Sequence, residues 1–154
     1  MRLSAYTDYS LRVLIRLALR RRSLATIAEI AKAYDISEHP LMKVVHQLGV
    51  AGYVDTVRGR GGGLRLPSMP AEVSVGDVVR RMEPDFGLAA CFRGAETCTI
   101  ESACYLADAF CAALTAFLQV LDRYTLADLL NKPGELSVLL HINPATPSRL
   151  RRPN

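Results

Sequence analysis

Three successive stretches at the start of the chain space their apolar residues three and four apart, the interval of one helix face. From Tyr6 to Leu19, the positions Leu11, Leu14, Ile15 and Ala18 predict a first helix, with Ser4 or Thr7 as its cap. Asp8 near its start suits the positive end of a helix dipole. Thr26 and Glu29 have capping-box spacing, and Ile27, Ile30, Ala31 and Tyr34 supply the apolar stripe of a second helix. Ser37 is placed to cap a third, running to about Val50, with Ile36 and Leu41 spaced for a hydrophobic staple. Pro40 falls in its first turn, where the missing N–H matters little. Leu41, Val44, Val45 and Leu48 form the inward face, which leaves Glu38, His39, Met42, Lys43, His46 and Gln47 outward. Two helices joined by a tight turn, the second with a polar outer face, make a helix-turn-helix.

The pattern then changes period. Tyr53-Val54 and Leu64-Arg65-Leu66 read as short strands around the tip Arg58-Gly59-Arg60-Gly61-Gly62-Gly63. A glycine-rich run also suggests a phosphate-cradling loop, but no Lys-Ser/Thr follows and no helix opens after it. A hairpin wing is the better reading, and the fold class is mainly α with a small β-wing. A proline-marked linker leads to a short helix from Val75 to Glu83, capped by Ser74 or Asp77 and ended by Pro84. From about Cys104 to Tyr124 a long helix follows, with Leu106, Phe110, Leu114, Phe117, Leu118 and Leu121 apolar. That face is too rich for a lone helix beside a small domain, which predicts a partner chain. Thr125 and Asp128 begin one further helical turn.

The organisation is therefore a winged helix-turn-helix DNA-binding domain over 1–83, a cysteine loop over 84–104, a dimerisation helix over 105–130 and a tail over 131–154. The end of that tail, PATPSRLRRPN, has the composition of a disordered segment.

Charge adds a partner class. Residues 1–66 hold 11 Lys/Arg against 5 Asp/Glu, whereas residues 67–154 hold 8 against 10. A basic half joined to a mildly acidic one points to a polyanion-binding module with an appendage. Arg12 and Arg16 interrupt the first apolar run, so neither a cleavable leader nor a span of roughly 20 apolar residues is present. These features predict a cytoplasmic protein with no membrane partner, in a compartment where thiols stay reduced.

Three of the four cysteines, Cys91, Cys98 and Cys104, are separated by six and five residues in an otherwise polar segment, CFRGAETCTIESACYL. Clustered buried cysteines are one reading, since Cys is a common core residue. A structural disulfide conflicts with the compartment. Zinc ligands usually come in pairs two to four residues apart, and no pair here is that close. Wider gaps suit a loop around something larger than one ion, such as a thiolate-held iron–sulfur cluster. Cys111 lies about 10 Å further along the same helix as Cys104, too far to share one cluster, and reads as a small core residue.

YTDYSLR, ISEHPLMKVVHQLGVAGYV, RGRGGGLRLP, VGDVVRRMEP, the three cysteines and YTLADLL together resemble the Rrf-type winged-helix regulators, to about residue 140. The nitric-oxide-sensing branch of that family is the nearest match, on VGDVVRRMEP and YTLADLL above all. The resemblance implies a homodimeric repressor whose iron–sulfur cluster is held by Cys91, Cys98 and Cys104, as [4Fe–4S] or alternatively [2Fe–2S]. It further implies a carboxylate ligand from the other subunit at the position of Asp8, with Arg12 holding it as an i, i+4 pair. DNA contacts then fall to His39, Lys43, His46 and Gln47 on the third helix and to Arg58, Arg60 and Arg65 on the wing, on a pseudo-palindromic duplex operator. His39-Pro40 departs from the residues usual in the family, which leaves base preference open. A same-fold regulator of iron supply or cluster status and a zinc or thiol redox switch are the alternatives. An enzyme ranks last, because His39, His46, His141 and the carboxylates form no nucleophile–base grouping.

Overall fold

The computed structural model describes residues 2–89 and 104–142. Its helices are α1 (Ala5–Leu19), α2 (Ile27–Tyr34), α3 (Glu38–Val50), α4 (Val75–Met82), α5 (Leu106–Asp122) and α6 (Pro133–Leu139). Strands β1 (Asp55–Val57) and β2 (Gly63–Arg65) pair antiparallel, with Asp55 opposite Arg65 and Val57 opposite Gly63. A two-way hydrogen-bonded bridge adds Ala25 alongside Leu64, so the segment before α2 ties the wing to the helices.

Helices α1, α2 and α4 start where side chains satisfy orphan N–H groups. Ser4 caps α1 by accepting from the Thr7 N–H. Thr26 and Glu29 complete a reciprocal capping box on α2, at 3.2 and 2.8 Å. Ser37 occupies the cap position of α3 but makes no side-chain cap bond, so the entry of that helix rests on packing instead. The turn between α2 and α3 is made by Asp35 in the left-handed region, at φ 53°.

Val13, Leu14, Leu17, Ile30, Leu41, Val44, Leu48, Val78 and Leu126 are the centre of one core. Two sequence expectations shift here. The buried face of α1 is Val13, Leu14, Leu17 and Ala18, while Leu11 and Ile15 are only partly covered, because α1 is gripped by α3 on one side and α4 on the other. The first wing strand begins at Asp55, not at Tyr53-Val54; Val54 is drawn into the core and anchors the strand's root.

Beyond α4 the chain folds back at its C-terminal end. Val75 N–H donates to Tyr124 O, and Leu126 N–H to Val73 O, stitching the YTLADLL run to the entry of α4 and inserting Leu126 in the core. Thr125 and Asp128 cap the 3-10 turn Asp128–Leu130 reciprocally. Arg80 grips the last turn of α5 through both oxygens of Asp122, one of them at 2.7 Å. No residue of α5 is fully buried within the chain. The helix, about 25 Å long at 1.5 Å per residue, is thus held at its far end, and its apolar side chains are at most partly covered.

Two further departures concern the C-terminal region. The stretch assigned to a tail from residue 131 contains α6, opened by Pro133 in its first turn, and Leu140 just past it is buried against α1. Its adjacent apolar residues, Val138-Leu139-Leu140, define no single helical face, which hid it from periodicity. The segment PATPSRLRRPN lies outside the described residues, as do Cys91 and Cys98.

Gly76, the second residue of α4, is required by the close approach of α5. A Cβ there would collide with the Asp122 carboxylate and stand 2.9 Å from its backbone nitrogen. Gly76→Ala is expected to destabilise the protein by about 1–3 kcal/mol, the usual cost of overpacking. Thermal denaturation should show a fall of at least several degrees; an unchanged midpoint would mean that α5 does not dock on α4 as described.

Candidate DNA interface and sensor residues

The outer face of α3 presents what the sequence assigned to it. His39, Met42, Lys43, His46 and Gln47 are exposed and, with Tyr6 of α1, line one shallow groove. Inward anchoring by Leu41, Val44, Val45 and Leu48 fixes which side chains those are. The helix is not free of α1: the Tyr6 hydroxyl donates to the Lys43 carbonyl at 3.3 Å. This contact has no periodic signature and was not legible in the sequence.

On the wing, Arg58 and Arg60 are exposed at a tip whose glycines set its shape. Gly59 and Gly61 have φ of 101° and 81°, and a Cβ on Gly62 would strike the Val57 and Gly59 carbonyls. Arg65 differs from its two neighbours. It sits directly opposite Asp55 and donates to its carboxylate through Nε at 3.1 Å and Nη2 at 3.0 Å. It therefore braces the root of the wing, and any phosphate it reached would compete with Asp55.

Asp8 lies in the first turn of α1, where its carboxylate accepts from Arg12 Nε at 2.8 Å. Both side chains remain nearly half exposed, at 47% and 42%. The Arg12 guanidinium also lies over the Tyr34 ring, 5.6 Å from its centroid. Burial pushes the Tyr34 phenol up to about 12, with the charges of Arg16 and Arg12 opposing it, so the ring under Arg12 stays neutral. Asp8 is thus held by one arginine that is itself oriented, and its outer side faces solvent.

The turn carrying Asp8 is fixed from below by Glu83, the residue that ends α4. A single oxygen, Oε2, accepts from Ser4 N–H at 2.9 Å, Ser4 Oγ at 3.0 Å and Thr7 Oγ1 at 2.6 Å. Thr7 is fully buried there. Sequence reasoning missed this clamp; Glu83 read only as the last residue before Pro84. Its position matters because the cysteine segment begins a few residues later. Cys104 stands half-buried just before α5 as a free thiol. Cys111 is also free, but exposed on α5, not the core residue its spacing suggested. Among the described residues, no three His, Cys, Asp or Glu side chains gather in one chain, and no helix is long and apolar enough to cross a membrane.

Removing the clamp leaves three donors without their acceptor. Glu83→Ala is expected to cost about 1–3 kcal/mol, with the denaturant midpoint lowered and amide exchange accelerated in the first turn of α1. Exchange in α2 should change far less; a uniform loss would contradict a local clamp.

Comparison with known proteins follows the same lines. A family profile described as "Rrf2: Iron-dependent Transcriptional regulator" matches residues 3–132. The HTH-type transcriptional regulator NsrR of Bacillus subtilis is 48% identical over 142 residues, spanning 91% of this chain and 97% of its own. NsrR of Halalkalibacterium halodurans is 42% identical, over 94% of this chain and all of its own. Among solved structures, CymR, the global cysteine regulator of B. subtilis, superposes with a TM-score of 0.69 at 28% identity, covering 85% of this chain and 97% of CymR. IscR of T. potens gives 0.70 at 26% identity, over 88% and 90%. These relatives are transcriptional regulators and not enzymes, and they share the winged-helix architecture and the continuation through α5. This chain belongs to the Rrf2 family, as a DNA-binding transcriptional regulator of the NsrR type.

Proposed function

We propose that the chain acts as a homodimeric repressor that senses nitric oxide through an iron–sulfur cluster held by Cys91, Cys98 and Cys104, with Asp8 contributed by the partner subunit. The observation that carries this reading is the state of Asp8: an outward-facing carboxylate, oriented by Arg12, on a turn that Glu83 ties to the start of the cysteine segment. The donor set fits the group. Thiolates are the usual ligands of such clusters, and a carboxylate oxygen is a weaker ligand beside them. When bound, the cluster supplies the iron at which nitric oxide competes with that weaker ligand.

Everything else falls to the chain's own side chains. Arg12 holds the Asp8 carboxylate in a fixed direction while its outer side stays available. Release of Asp8 frees the first turn of α1 from the partner. Two residues before Asp8, Tyr6 bonds the backbone of α3 at Lys43, so a shift of that turn is felt by the recognition helix. In a dimer, two such helices occupy successive major grooves of a pseudo-palindromic operator, and a small change in their spacing lowers affinity. The apolar side of α5, with Leu106 and Val120 exposed and Leu114, Leu118 and Leu121 only partly buried, supports pairing of two chains along that helix. The signal discriminates between two dimer geometries because only one of them keeps Asp8 bound.

His39, Lys43, His46 and Gln47 read base edges in this account, and Arg58 and Arg60 reach phosphates or the minor groove beside them. A second reading, sensing of iron supply, is favoured by the family's description as iron-dependent; it keeps the same residues and differs in the signal.

Asp8→Ala tests the central assignment. If Asp8 only pairs with Arg12 on an exposed helix face, its loss costs about 0.2–1 kcal/mol and nothing more. The proposal instead expects an intact fold, faster loss of the cluster's visible absorbance in air and an altered nitric-oxide response of DNA binding. An unchanged cluster lifetime and response would refute the ligand role. For the wing, Arg58→Ala and Arg60→Ala should each weaken binding on all duplex sequences and reduce the salt slope by about one.

A further inference from the structure

The C-terminal half of α1, the exposed face of α2 and the residues just past α6 enclose a cleft of about 440 Å³, within the roughly 300–1,000 Å³ of small-molecule sites. Its wall carries Arg16, Arg20, Lys32 and His141 against a single carboxylate, Glu29. Both Glu29 oxygens are already engaged, Oε1 by Arg20 Nη1 at 3.1 Å and Oε2 by the Thr26 N–H at 2.8 Å. Despite burial, which raises it, those two partners hold the Glu29 carboxyl below its usual range.

Arg16 is the unusual member. It is 4% exposed, its Nη1 donates to the Leu140 carbonyl at 3.3 Å, and its buried Nε has no hydrogen-bond partner. No carboxylate among the described residues pairs with it. Burial and then the neighbouring Arg20 pull its pKa down from the ordinary value, with Glu29 and Tyr34 opposing them, and the guanidinium remains charged. A buried cation with no carboxylate bonded to it is disfavoured unless something negative completes its surroundings. His141 adopts φ 50°, a region non-glycine residues rarely visit, at the cleft's rim.

We propose that this cleft binds a small oxyanion, the phosphate or carboxylate group of a metabolite, against Arg16 with Lys32 and His141 at its edge. The cleft shares no lining residue with the groove on the DNA-reading face of α3. An occupant would bridge α1, α2 and the end of α6, tightening the contact that Leu140 now makes alone with Arg16.

Calorimetric titration and thermal denaturation of the full chain with inorganic phosphate, and separately with citrate, at ionic strength held constant by chloride, test this. The expected result is saturable binding and stabilisation by one of the two, which also assigns the class. Lys32→Ala should weaken the dissociation constant about tenfold or more, as loss of a charge-assisted hydrogen bond does. Arg16→Met should abolish binding yet fold at least as well in chloride, because it removes a buried charge to which no carboxylate is bonded. Should Arg16→Met not fold, Lys32→Ala and His141→Ala, both at exposed positions, decide the matter. Non-saturating stabilisation that is equal in all variants would overturn the proposal as a general salt effect. So would silence toward both anions combined with reduced operator affinity of Lys32→Ala, which would make the cleft a DNA-phosphate contact.

Discussion

Glu83 and the three donors it gathers fix the first turn of α1 to the end of α4, and the rest of the molecule is arranged around that turn. Above it, Tyr6 touches the recognition helix through the Lys43 carbonyl. Beside it, Asp8 faces outward on Arg12. Below it, the chain leaves Glu83 for the cysteine segment. One carboxylate oxygen therefore connects the proposed ligand, the proposed cluster loop and the DNA-reading surface within a few residues of sequence. Buried hydrogen bonds of this kind have defined geometry and are costly to leave unmade, so the turn behaves as one piece.

At the other end of α5 a second attachment does comparable work. Arg80 clasps Asp122, Gly76 permits the approach, and the 124–127 backbone returns to the entry of α4. The hydrogen bond and charge of Arg80 hold the Asp122 carboxyl below its usual pKa, although the pair is exposed. The clasp is accordingly present above the ordinary carboxylate range and is lost as pH falls through the depressed value. Arg80 holds α5 at its C-terminal end, while Tyr105 and Leu106 at its N-terminal end are exposed. In the proposed dimer the apolar side of α5 meets a second chain.

What the sequence made legible follows from local physics. The Thr26–Glu29 capping box, the inward quartet Leu41, Val44, Val45 and Leu48, and the glycine tip of the wing are all decided by residues within a few positions of one another. The Asp8–Arg12 pair, at i, i+4, was readable for the same reason. The features that escaped are long-range: Glu83 with Ser4 and Thr7, Arg80 with Asp122, Tyr6 with Lys43, and the counter-pairing of Arg65 by Asp55 across the wing. α6 escaped because its apolar residues run consecutively and give no period. Cys111 was misread because it sits on the exposed side of α5.

Anaerobic purification with iron and sulfide assay, followed by a nitric-oxide titration read simultaneously by visible absorbance and by operator binding, bears most directly on the proposed function. The account predicts iron and labile sulfide in the protein, and loss of cluster absorbance in step with loss of DNA binding. Zinc without sulfide, or a cluster that nitric oxide leaves intact and bound to DNA, would contradict it.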